Sequence, residues 1–576
     1  MLQNSTQAGK CDTDGKIHEG ETMSEGYYEL GAYSRPVTTG SEEAQRWFDR
    51  GLAWAYGYNH DEAIVCYRRA LDADPACAMA WWGVAYAVGP NYNKPWEAFD
   101  EGDAARSLGI AYDASARARA LAPNATDTER SLISALAHRY PSRSPAADMC
   151  PWNDEYAGAM RAVYAEHGED DPDVAALFAE AIMNRTPWAL WDLKTGQPAE
   201  GADTEEAIKV LEKALRRREE RSEETHPGLL HMYIHLMEMS PHPERALTAG
   251  DRLRGLVPDA GHLAHMPTHI DVLCGDYRAV VESNQAAIEA DRKFLAREGA
   301  GNFYSLYRCH NYHFKIYGAM FLGQYRPALA AAEEMIATLP EELLTLTSPP
   351  MADWLEGFVS MKQHVLIRFG KWNAVIAEEL PENRDLFCVT TAMMQYAKAV
   401  ARAVTGAVDA AEREATGFDE ALTRVPESRY VFNNRCLDIL AIAGEMMRGE
   451  IEYRRGRFDT AFKHLRAAVE LDDNLPYDEP WGWMQPTRHA LAALLLEQDR
   501  VDEAAAVYRA DLGYDDTLSR ACQHPDNVWS LHGYHECLQR LGRTREAAIV
   551  KQRRDLALAR TDVPITASCF CRRATR

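Results

Sequence analysis

Apolar residues recur at three- and four-residue spacing along most of the chain, and Pro and Gly stand between these stretches rather than inside them. The Ala-rich segments Tyr325–Met335 and Asp502–Arg509 show it most plainly. This period predicts amphipathic helices. Runs of alternating β-branched residues are almost absent, so the predicted fold class is all-α. Between residues 92–225 and 340–440 the helical pattern is longer or irregular, and Pro141–Pro151 and Thr195–Thr204 read as loops.

A fixed period organises the helices. Trp47, Gly51, Trp54, Ala63, Tyr67, Ala70 and Pro75 match the tetratricopeptide pattern of 34 residues. The small residues let two helices approach, the aromatics fill the space between them, and the proline ends the second helix. A shift of 34 puts Trp81 and Ala85 where Trp47 and Gly51 stood, and later copies run through Pro258, Ala287, Ala328 and Ala461. The expected architecture is a right-handed tetratricopeptide-like helical solenoid with irregular helical insertions, sharing one continuous core. Four stretches are expected: a disordered polar tail over 1–25, N-terminal repeats and irregular helices over 26–225, central His-rich repeats over 226–340, and C-terminal repeats over 341–576.

Composition narrows the function. The chain has 576 residues, with 63 Lys plus Arg against 87 Asp plus Glu, a net charge of −24. A phosphate backbone is bound with surplus cations, so nucleic acid is not an expected partner. No stretch approaches a membrane span, and the polar first residues lack the apolar region of a secretory signal. The 12 Cys are scattered in a chain too long to need a disulfide framework. The expected location is the cytoplasm, and Cys569-Phe570-Cys571 is too isolated for a zinc half-site.

The candidate chemistry lies in the histidines. Of 19 in the chain, nine fall between His226 and His313. His231 and His235 occupy the fifth and ninth positions of one repeat, and His265 and His269 recur 34 residues later. His262 and His310 take the second position of their repeats, and His313 a fifth position. Residues at such spacings share one side of a helix. The expectation is therefore a patch of seven imidazoles lining the concave groove, with Glu238 one turn beyond His235 as a ligand or base. Such converging nitrogen donors suit a transition metal: Cu or Fe by preference, Zn as the other option, one or two ions per chain. Against this stands the ordinary reading of a groove histidine as a hydrogen-bonding residue.

Other residues are candidates for substrate contact. Glu180, Trp188 and Trp191 flank a turn before the His block, and Tyr307 precedes His310. Arg488 follows the acidic, aromatic loop Tyr477–Trp483, and pairs there either with a carboxylate substrate or with Asp478 or Glu479. Neither a phosphate-binding Gly loop nor a nucleophile elbow is present.

The segments Tyr233-Ile234-His235, Gly261-His262-Leu263-Ala264-His265-Met266-Pro267-Thr268-His269-Ile270 and His310-Asn311-Tyr312-His313-Phe314 resemble a group of bacterial and fungal tetratricopeptide-repeat proteins. The resemblance extends to Cys77–Gly83, Gly89-Pro90-Asn91, Pro187-Trp188 and Tyr477–Pro480. It implies the repeat fold and the weight of the histidine block, and it implies no reaction, since that group has no settled activity. Two functions follow as expectations. One is a metal-dependent oxidase or oxygenase acting on a small organic substrate in the groove, with a zinc hydrolase as its variant. The other is a protein-interaction scaffold, with a protein partner or a second copy.

Overall fold

The computed structural model describes residues 26–573; the tail expected over 1–25 lies outside the described residues. The described chain is all-α, a succession of packed helical hairpins in a tetratricopeptide-like solenoid, with two short β-hairpins at Trp191–Pro198 and Tyr430–Arg435.

The first hairpin shows why the sequence folds this way. Ser41 caps Glu42–Tyr56 by accepting from the Ala44 amide, and Asn59 caps His60–Ala73 through the Glu62 amide. Each such cap contributes about 1 kcal/mol. Acidic Glu42, Glu43, Asp61 and Glu62 occupy the two first turns, where the helix dipole favours negative charge. The Tyr67 ring then fits between Gly51 and Gly83: a Cβ at either glycine would stand 2.6 Å from it. Glycine at these two positions is what lets three helices close on one aromatic ring.

The expected irregular stretches hold ordered helices as well, among them Glu101–Leu121, Cys150–His167, Pro172–Met183 and Cys388–Thr405. Among the described residues no helix is long and apolar enough to cross a membrane. Near the C-terminus Cys569 and Cys571 are joined as a disulfide, a bond the sequence reading did not anticipate.

The buried apolar residues form two clusters rather than one continuous core. The first runs from Tyr28 to Ile270 and adds Phe294, Tyr304 and Tyr307; the second takes Met239 and then Val272 onward to Cys571. The change falls inside the Pro267–Cys274 helix, and Trp188 and Trp191 pack against both clusters. The histidine block lies at this junction.

Candidate metal centre

Three helical segments carry the ladder. His231 and His235 lie on Pro227–Glu238, and His310 and His313 on Tyr304–Phe321. The segment between them reads in sequence as one helix, but it is two: Gly261–His265, with His262 and His265, and Pro267–Cys274, with His269. Pro267 has no amide proton to continue the first helix.

The structure sorts six of the imidazoles into two trios. His231, His235 and His262 form one, and His265, His269 and His310 the other; within each, the ligand atoms lie within 4.8 Å of one another. Each trio takes the fifth and ninth positions of one repeat and the second position of the next. The rule also explains the seventh histidine. His313 stands at a fifth position, but the ninth position of its repeat is Tyr317, so no third trio forms. His313 instead places its Nε2 2.7 Å from Met484 Sδ.

The hydrogen bonds fix which nitrogen faces inward. His231 Nδ1 donates to the Tyr56 carbonyl at 2.6 Å, and His265 Nδ1 to Asn284 Oδ1 at 2.8 Å. His235 and His269 donate from Nδ1 to the two oxygens of Glu238, at 3.0 and 2.7 Å. With those four protons committed outward, the Nε2 lone pairs of His231, His235, His265 and His269 point inward, and those of His265 and His269 face each other. The Nε2–Nε2 separations are 3.1 Å for His231–His262, 2.7 Å for His265–His269 and 3.4 Å for His269–His310. Facing lone pairs repel, whereas a cation between them is attracted by both. An imidazole whose outer N–H is held by a carboxylate or carbonyl is the usual support of a metal ligand.

Glu238 joins the trios, one oxygen to each. Glu479 adds a second carboxylate, its Oε2 2.7 Å from His269 Nδ1. Burial pushes the Glu238 carboxyl up to about 8, with His269 pulling it down and Glu479 pushing it further up. Burial likewise raises Glu479 well above the carboxylate range, against a hydrogen bond from the Tyr477 hydroxyl. Burial, and then the neighbouring imidazoles, hold His231, His235, His262, His265 and His310 well below their ordinary range. They are therefore neutral donors at pH 7.

The groove expected around them is closed. All seven histidines are buried, His310 being the most exposed at 5 %, because loops distant in sequence fold over them. Tyr58 packs 4.6 Å from His231 and Tyr92 5.0 Å from His235. Phe432, from the second β-hairpin, stands 4.5 Å from His310, and Phe314 4.7 Å from His265.

The residues expected to contact substrate divide. Trp188 stands 5.8 Å from His235 and Tyr307 4.7 Å from His262, so both wall the first trio. Glu180 is buried and engaged by the Tyr86 hydroxyl at 2.6 Å and the Asn184 amide at 3.0 Å. Trp191 donates to the Leu236 carbonyl at 2.7 Å and braces the helix behind the first trio. Arg488 pairs with Asp473, neither with Asp478 nor with Glu479. The loop before it does reach the site, but through Glu479.

The fold and site together define a helical-repeat protein with paired, buried trisimidazole clusters at the junction of two cores. No protein-family model matches this chain, and no curated protein does. Among solved structures it is similar to a Rap protein in complex with competence and sporulation factor, at 10% identity over 68% of this chain and 98% of that one, TM-score 0.30. It is also similar to yeast Tom70, at 13% identity over 90% and 98%, TM-score 0.28. A third likeness is to Naa15/Naa10 bound to HypK-THB, at 12% identity over 89% and 65%, TM-score 0.20.

Proposed function

We propose that this chain holds two transition-metal ions side by side, one in each histidine trio, and uses them in redox chemistry on a small organic molecule. The observation that carries the reading is the orientation of the imidazoles. Four of the six, His231, His235, His265 and His269, commit Nδ1 to Tyr56, Glu238 and Asn284, which leaves Nε2 free inward, and with His262 and His310 the ligand atoms converge in two sets of three. Three neutral imidazoles without a thiolate suit Cu or Fe, with Zn the remaining option. Glu238, shared by both trios, orients a ligand of each and makes those ligands more basic. Protein purified without added metal or chelator is expected to carry one equivalent of the same metal per trio, by elemental analysis. Content near zero after reconstitution with Cu, Fe and Zn in turn removes the reading.

The repeat architecture supports a second reading, a scaffold that docks a protein partner or a second copy. On the terminal helix Thr544–Leu558, Ile549 and Leu556 are 66 % and 70 % exposed, and a seven-residue spacing puts them on one face. An apolar pair left outward at the end of a solenoid marks an association surface. Light scattering is expected to show a complex that Ile549→Glu with Leu556→Glu dissolves. A wild-type chain that is monomeric and retains no partner on purification counts against it.

A further inference from the structure

The first hairpin turns at Tyr58, two residues before the His60–Ala73 helix, with a φ of 53°. Later hairpins turn the same way before their second helices. At the matching place they have Gly275, Gly323, Gly370, Gly406, Gly456 and Gly542, all at positive φ, and in one case Asp499. Glycine adopts this left-handed backbone freely and Asp tolerates it, whereas a bulky side chain there is an outlier. The chain therefore bears strain at Tyr58 that its other repeats avoid. Among the described residues the aromatic side chains at positive φ are Tyr58, Trp188 and Phe432, and all three stand against the histidine block. Strain of this kind gathers where function needs a fixed geometry.

The packing shows what the strained turn delivers. The Tyr58 ring lies on every imidazole of the first trio, 4.6 Å from His231, and nearly parallel to His235 at 5.9 Å and to His262 at 5.6 Å. Its hydroxyl donates to Met232 Sδ at 3.6 Å. The second trio has the same kind of cap from another source. Phe314 lies 4.7, 5.0 and 5.1 Å from His265, His269 and His310, and it follows His310 by one helical turn. One turn after His262 the chain has Met266, where the helix breaks before Pro267, so the first trio takes its ring from a different hairpin. Tyr58 also lines a cavity of about 200 Å³ that the trio itself does not reach. Asp61, Lys94 and Asp103 line it too, which gives it the room and the polarity to hold water.

We infer that Tyr58 is a positioning residue for the first ion: its ring holds the three imidazoles in register and keeps the water of this cavity off them. The ring does this, not the hydroxyl. The inference rests on the metal reading and adds that each ion has its own cap, Tyr58 for the first and Phe314 for the second.

The test loads the full chain with zinc and follows the release of each equivalent to excess EDTA, with circular dichroism on the same samples. Tyr58→Gly installs the residue of the later hairpins, and Tyr58→Asn is a second variant that tolerates the turn. Each is expected to release one equivalent at least tenfold faster than the wild type and the other at the wild-type rate. Tyr58→Phe is expected to release both as the wild type does. Wild-type release of both ions from a folded Gly or Asn variant overturns the inference and leaves the metal reading standing. Equal acceleration of both ions also overturns it, because the ring would then support the fold as a whole. A wild type that takes up neither zinc, copper nor iron removes the metal reading, and the inference with it.

Discussion

His235→Ala combined with His269→Ala is expected to empty both trios of metal while the helix content stays that of the wild type. The pair removes one imidazole from each trio, and these are the two whose Nδ1 protons meet on Glu238. Two imidazoles remain per trio. The carboxylate that oriented the lost ligands is left without its donors, in a fully buried position. Elemental analysis should fall from one equivalent per trio to background. Glu238→Gln keeps the volume but removes a carboxyl that a bound cation draws into its ionised form behind both ligands, so affinity is expected to drop about 10–100-fold. The control is His313→Ala. It removes a histidine of the same ladder and the same burial, but one that faces Met484, and it should keep both ions. Metal retained at full stoichiometry in the double variant, or lost equally in His313→Ala, would refute the assignment. Thermal unfolding adds an independent readout, because a ligand present at 100 times its dissociation constant stabilises the folded state by about 2.7 kcal/mol.

That control separates what the sequence displays from what only the fold displays. The repeat register is local, so the positions of His231, His235, His265 and His269, and the pairing of Gly51 with Tyr67, can be read along the chain. The division into trios is not local. It depends on how one repeat stacks on the next, with the second position of the later repeat joining the fifth and ninth of the earlier. It also depends on the break at Pro267, which sets His269 on a separate helix from His262 and His265. The enclosing residues are further out of reach. Glu479 meets His269 across the junction of the two cores, a contact that leaves no period in the sequence. The acidic loop before Arg488 was visible as a feature, but its nearest cation is the obvious partner on paper. The fold gives that cation to Asp473 and leaves Glu479 for the imidazoles. The concave groove expected for these repeats failed for the same reason: Tyr92, Trp188, Phe432 and Tyr477 arrive from four separate segments to roof the site.

The same burial makes the metal-free protein acid-sensitive, and the sign follows from the imidazoles. In the folded chain His231, His235, His262, His265 and His310 stay neutral well below their ordinary range, and burial lowers His60, His313 and His364 to about 3 and His489 to about 4. Unfolded, each takes a proton near pH 6.5. Below that pH the unfolded chain binds more protons, so stability is full above about pH 7 and falls with acid by about 1.4 kcal/mol per pH unit for each such group. Buried carboxyls act in the opposite direction. Glu238, Asp478 and Glu479 have raised folded values; they remain protonated when folded but ionise when unfolded, so their contribution grows as the pH drops. Asp271, Asp291 and Asp472, each raised to about 6, act in the same direction as these carboxyls and offset part of the loss, and the nine imidazoles still leave a net loss as the pH falls. Circular dichroism of chelated protein is expected to show cooperative loss of helix between about pH 6 and pH 5. The metal-loaded protein should resist to lower pH, because protons must then displace the ions, and metal release should coincide with unfolding. Helix retained to pH 4 in the metal-free chain would mean that water or counter-charges reach these imidazoles, and the dry, neutral donor set on which the metal reading depends would be lost with it.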